Sequence, residues 1–187
     1  MATGIVTLKI GSLTISPLRR LPSSKYTAAP VRQRVLQRAE SGRAFVFNTY
    51  TKYTVTITGL AQTLFEDLRY LYEQDSALDL YSIANRKEVI IPTGLTITYL
   101  TSRRVRLDEG AVTPKVEWPE GSVLASSTYS IVNGTTNATI TFGSVLPAGT
   151  NAVIRFYPIL TGYINTMTDD YDWVLDESSW NISFEEA

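Results

Sequence analysis

Residues 44–74 read AFVFNTYTKYTVTITGLAQTLFEDLRYLYEQ, and the change of period inside this stretch decides the fold class. The runs 44–50 and 52–58 are rich in Val, Ile, Thr, Phe and Tyr, which fit a pleated, half-buried surface, so they predict two adjacent strands. From Leu60 onward the apolar residues recur at helical spacing as Leu60, Leu64, Leu68 and Leu71. Phe65 and Tyr72 widen that stripe, and Glu66, Asp67, Arg69 and Glu73 occupy the other side. The pattern predicts one helix over about residues 60–75, begun by Thr58-Gly59 or by Thr63 and Glu66 as a capping box. A leucine stripe of this kind needs a sheet to pack on.

Strand signals extend on both sides. Val6, Leu8 and Ile10 alternate with Thr7 and Lys9, Gly11-Ser12 offers a tight turn, and Leu13 and Ile15 resume the alternation as an opening hairpin. Pro17, Pro22 and Pro30 then bracket a polar stretch that reads as an extended arm or loop. Residues 31–39 fit either a short helix or a two-faced strand. Beyond the helix, strands are predicted at 78–83, 88–91, 95–100 and 103–107, then, after a long connection marked by Pro114, Pro119 and Gly121, at 129–132, 138–142 and 152–157. Segments 171–175 and 180–184 close the chain. The fold class is mainly β: a barrel or sandwich with one packed α-helix, built from residues 1–92 and 159–187 and interrupted by a small β module over 93–158.

The charges are sorted by position, although 17 basic and 18 acidic residues nearly cancel. Among the first 52 residues, Lys9, Arg19, Arg20, Lys25, Arg32, Arg34, Arg38, Arg43 and Lys52 face only Glu40. Asp169, Asp170, Asp172, Asp176, Glu177, Glu185 and Glu186 end the chain with no Lys or Arg after Arg155. Opposite fields at the two ends are satisfied either inside one fold or between copies in a head-to-tail contact. Arg19, Arg20, Arg32, Arg34, Arg38, Arg43, Asp169, Asp170 and Asp172 are therefore the interface candidates.

Composition narrows the chemistry. With no Cys there is no disulfide, thiolate metal site or thiol nucleophile, and with no His the usual proton shuttle near neutral pH is missing. Asp169, Asp170 and Asp172 lack the ordered, glycine-containing ligand loop of a calcium site, so no metal is assigned. The pairs Asp108-Glu109 and Glu185-Glu186 are expected to diverge, since neighbours on a strand point to opposite faces, and neither pair alone supplies the two carboxylates of a glycosidase. Glycines fall at turns rather than in a phosphate-cradling loop, and no cofactor is implied. The basic first third, with Tyr26, Phe45, Phe47, Tyr50 and Tyr53, suits a nucleic-acid face, but a net charge of -1 and the absence of a recognisable motif weigh against it. Trp118, Trp173 and Trp180 suit a sugar platform, although aromatics at alternating strand positions more often serve a core or subunit interface. No run approaches a membrane span. The expectation is a protein made in the cytoplasm that performs no catalysis.

Two sets of residues carry a resemblance. One is Ser41-Gly42-Arg43, the strand 53–58, Gly59-Leu60 and the single helix, followed by Asp172-Trp173-Val174-Leu175 and the stretch from Trp180 to Glu186. This resembles the distal tail protein family of bacteriophages, whose members tend to begin with a strand–helix–strand barrel and form a ring at the end of the tail tube. The other is the run 129–134, the strand 138–142, Leu146-Pro147-Ala148-Gly149 and the strand 153–157. It is similar to a small β-module recurrent in phage structural proteins. The resemblance implies a ring of copies of this chain, a hexamer, at the virion tail tip, with the tail tube and the hub or baseplate as partners and no catalytic residues. Another virion ring, such as a tail terminator or baseplate component, and a carbohydrate-binding β protein are the alternatives.

Overall fold

The computed structural model describes residues 6–15, 20–38, 44–60, 64–94, 96–172 and 177–187. The chain opens with β1 (Leu8–Ile10) and β2 (Leu13–Ile15), adjacent in their sheet and joined at Gly11, whose φ of 57° lies in the left-handed region a glycine enters without strain. The arm and the ambiguous segment after it form one strand, β3 (Arg20–Arg38), and the two strands expected over 44–58 merge into β4 (Ala44–Leu60). No turn residue separates Tyr50 from Lys52, so nothing stops the pleat there. Pro22 and Pro30 are accommodated because β3 ends the sheet order, and a strand with one unpaired side tolerates a missing N–H.

Helix α1 (Phe65–Glu73) follows, shorter than predicted. Thr58 and Leu60 still belong to β4, Leu64 occupies the N-cap without a side-chain cap, and Thr63 lies outside the described residues. Leu64 and Leu68 are fully buried, whereas Tyr72, expected to widen the apolar stripe, is exposed. After it come β5 (Leu78–Tyr81), β6 (Arg86–Ile90), β7 (Thr96–Leu100), β8 (Arg104–Val105), β9 (Lys115–Glu117), β10 (Tyr129–Asn133), β11 (Ala138–Leu146), β12 (Ala152–Phe156), β13 (Pro158–Asp172) and β14 (Glu177–Glu186). Strands account for 58% and α1 is the one α-helix among the described residues; the sheets are antiparallel and packed sandwich-fashion, with no closed barrel among the described residues.

Two compact units divide the chain: Met1–Lys9 with Leu80–Leu160, and Ile10–Asp79 with Thr161–Ala187. The first boundary falls earlier than the expected 92/93 because β6 pairs along its whole length with β12. In the first unit the sheets β10-β11-β7 and β6-β12-β9 enclose one core of Ile90, Val105, Val116, Ala138, Ile140, Phe142, Leu146, Ala152, Ile154 and Phe156. Alternation selects these residues: Ile154 and Phe156 face inward while Arg155 between them is half-buried. In the second unit the antiparallel run β13-β14-β4-β3 carries the buried residues Val55, Ile57, Ile164, Trp180, Ile182 and Phe184, to which α1 adds Leu64 and Leu68. No helix among the described residues is long and apolar enough to cross a membrane.

Candidate assembly surface

Register fixes where the two charged ends lie. Across the second unit's sheet, Tyr163 stands opposite Glu185, Glu185 opposite Thr54, and Thr54 opposite Ala29, so one row crosses all four strands. A few residues on, Thr168, Asn181, Thr58 and Lys25 form another. Among the described pairs, β14 meets β4 at residues 54–58 of β4. Beyond that zone β3 and β4 continue only with each other, through Arg32↔Thr51, Arg34↔Asn48 and Arg38↔Ala44. On the other side β13 and β14 continue through Asp169↔Trp180, Asp170↔Ser179 and Asp172↔Glu177. The sheet therefore sends a basic hairpin out of one end and an acidic hairpin out of the other.

From Arg32 to Asp170 the offset along the strands is about nine residues, or roughly 30 Å at a rise of about 3.3 Å per residue. Of the interface candidates, Arg20, Arg32, Arg34 and Arg38 lie on β3 and Asp169, Asp170 and Asp172 on β13; Arg19 and Arg43 lie outside the described residues. The sheet brings Arg32, Arg34 and Arg38 onto the end opposite Asp169, Asp170 and Asp172, whereas Arg20, opposite Leu60, lies at the acidic end.

At the base of the basic hairpin lies an open cleft of about 620 Å³, lined by Lys52, Tyr72, Asp75, residues 163–165 and residues 185–187. Asp75 follows the end of α1 with a φ of 44°. Glu186 accepts the Tyr53 N–H at 2.9 Å, and Asn165 donates weakly to Glu185 at 3.4 Å. The chains run very close here: a Cβ on Gly162 would collide with the Glu185 carbonyl oxygen. Glu185 and Glu186, expected to diverge, both line the cleft. Sequence pattern alone gave no sign of this pocket, because it joins a helix end to three strands far apart in the chain.

The other dense charge cluster lies within the first unit. Arg106 is fully buried; its Nε and Nη2 donate to the two carboxylate oxygens of Asp108 at 3.0 and 3.1 Å, and Nη1 donates to the carbonyls of Thr7 and Ser82 at 2.8 and 3.0 Å. Lys9 pairs with Asp108 and, at 3.3 Å, with Glu109, while Arg106 and Lys9 both lie within 6 Å of the Tyr81 ring centroid. The expected divergence of Asp108 and Glu109 is thus wrong: both follow β8, outside any strand, and turn to the same cations. Burial pushes the Asp108 carboxyl up, but hydrogen bonds from Arg106 and Lys9 outweigh it and hold the group at about 2, below its ordinary 3.8. A carboxylate held that low is an anchor rather than a proton donor.

The sign of the pH effect follows. With the folded value depressed, the stabilisation from Asp108 is fully present above about 3.8 and is lost as pH falls through about 2. Thermal unfolding followed from pH 5 to 2 is expected to show a falling midpoint across this window, with a shallower fall in Asp108→Asn. An identical slope in both proteins would remove Asp108 as its source.

Among the described residues no group of three or more Asp or Glu side chains is placed to hold a metal ion. No known protein-family model matches the chain, and no curated protein sequence matches it.

Proposed function

We propose that this chain is a structural subunit that assembles head to tail into a homo-oligomeric ring at the distal end of a phage tail tube, where it joins the tube to the hub or baseplate and carries out no chemistry of its own. The observation that carries the reading is the exit of oppositely charged hairpins from opposite ends of one sheet. In a ring whose axis follows the strands, such a subunit presents a basic rim on one side and an acidic rim on the other. Each rim then selects a different neighbour.

The strand order supports closure of the ring. Successive strands of the run β13-β14-β4-β3 alternate in direction. At one side the described sheet ends at β3. At the other it runs on from β13 through β5 and β1 to β2, and among the described contacts β5, four residues long, lies beside the start of β13, where Ser82 donates to the Pro158 carbonyl and Thr161 to Asp79. Rotation about an axis along the strands would bring residues 20–29 of β3 in one copy antiparallel to the outer length of β13, residues 163–172, in the next, a heterologous contact of the kind that closes into rings.

Reversing Arg32 and Arg34 to Glu is expected to weaken self-association, or docking to the tube, by about tenfold or more while the subunit's melting temperature stays near that of the parent. Sedimentation and calorimetry on the same samples check this, and equal losses in both would return the charges to an intramolecular role. Electron microscopy of the assembled particle tests the location. A ring seen elsewhere on the virion, as in a tail terminator, would move the assignment.

A further inference from the structure

We propose that neighbouring copies are joined by a β-ladder of fixed register, in which Ala28 and Tyr26 on β3 of one copy stand opposite Ile164 and Met167 on β13 of the next, and Lys25 meets the acidic run that begins at Asp169. This rests on the ring reading above and deepens it by naming the residues of the contact.

The direction of the backbone groups comes first. The Tyr53 N–H turns toward β14, where Glu186 accepts it at 2.9 Å, so Pro30, its opposite number on β3, points its own backbone away from β4. Two residues along, Ala28 points its N–H and carbonyl the same way, out of the edge of the sheet. Bonded and non-bonded pairs alternate from strand to strand, and across β13-β14-β4-β3 this turns Ile164 and Met167, the residues in the rows of Ala28 and Tyr26, outward from β14. Rotation of one copy onto the next sets outward groups against outward groups on antiparallel strands, as a ladder needs.

Side chains and extent agree with this register. On the core face Met167, Ile182, Ile57 and Tyr26 form one row, with the two isoleucines buried and the two end residues half-buried. Edge to edge, the Tyr26 ring comes beside the Met167 thioether and the apolar row runs on without a break. One residue past Ala29 the ladder stops on both strands at once: Pro30 has no N–H, and β13 at that level passes to β5, whose Asp79 accepts from the Thr161 hydroxyl. At the other end Lys25, exposed, shares its row with Thr168, next to exposed Asp169, and neither charge pairs with another described residue. Within one copy three strand spacings, about 14 Å, separate β3 from β13, beyond the roughly 8 Å over which physiological salt screens; across the contact the separation is one spacing, about 5 Å.

Ala28→Pro tests the ladder, because it removes an outward N–H and leaves the bonds to β4 whole, as Pro30 already does. Sedimentation is expected to show association at least about tenfold weaker than in the parent chain, with a similar melting temperature at dilutions where both are monomeric. Lys25→Glu and Asp169→Lys should each weaken association about threefold to tenfold, and one chain carrying both should return to within about threefold of the parent, since every head-to-tail contact then regains opposite charges. An Ala28→Pro chain that keeps its melting temperature and assembles like the parent, or a double charge variant no stronger than its components, overturns the register and leaves the ring standing. If Ala28→Pro melts well below the parent, the charge series alone decides. A parent chain that stays monomeric at every concentration overturns both.

Discussion

Arg106→Ala is expected to lower the unfolding free energy by about 3–5 kcal/mol, the usual cost of removing one partner from a buried ion pair. The guanidinium is fully buried and saturates two backbone carbonyls and both oxygens of Asp108. Its loss strands those acceptors and leaves two carboxylates beside one lysine. Arg106→Lys should fall between parent and Ala, since an ammonium keeps the charge but cannot fork onto Asp108 while reaching both carbonyls. Urea denaturation of the three proteins checks the order. A change within error for Ala would mean that water or neighbouring side chains replace the guanidinium at no cost.

Leu68→Ala should cost about 2–5 kcal/mol, because a fully buried leucine loses both its transfer free energy and its packing neighbours. Tyr70, one turn face away and well exposed, supplies the control: Tyr70→Ala should stay within about 0.5 kcal/mol of the parent. The contrast tests the helical period itself. Equal effects at both positions would show that α1 does not bury its leucine face.

Much of the architecture was legible because it depends on local period. Val55 and Ile57 are buried and their neighbours Thr54 and Thr56 half-exposed, as alternation requires, and Leu64 and Leu68 mark the buried side of α1. Three elements were not legible. The prolines of β3 read as breakers, since only sheet order reveals that the strand has an unpaired side. The strand β13 carries Thr161, Asn165, Thr166, Thr168 and Asp169, whose polarity hides an element that its partner β14 holds in place. Arg106 sits between Val105 and Leu107 with no pattern around it, and its importance appears only when residues near 7, 82 and 108 converge. The charge sorting was visible from the start. Where in the sheet each charged residue lies was not, because that depends on register rather than on sign.

The prolines of β3 also bear on how such a protein escapes runaway polymerisation. A strand that ends a sheet is a template on which any extended chain can grow, and the same surface that seeds a closed ring can seed an insoluble fibre. Pro22 and Pro30 delete donors along the inner part of β3, so a strand approaching in the wrong register meets gaps in the ladder. Two unbroken series of donors remain, residues 23–29 and residues 31–38, the second of which also bears Arg32, Arg34 and Arg38. A strand added along either series finds every donor present, whereas one that spans residue 30 finds no N–H there, so the length of β3 that can template a continuous ladder is cut short.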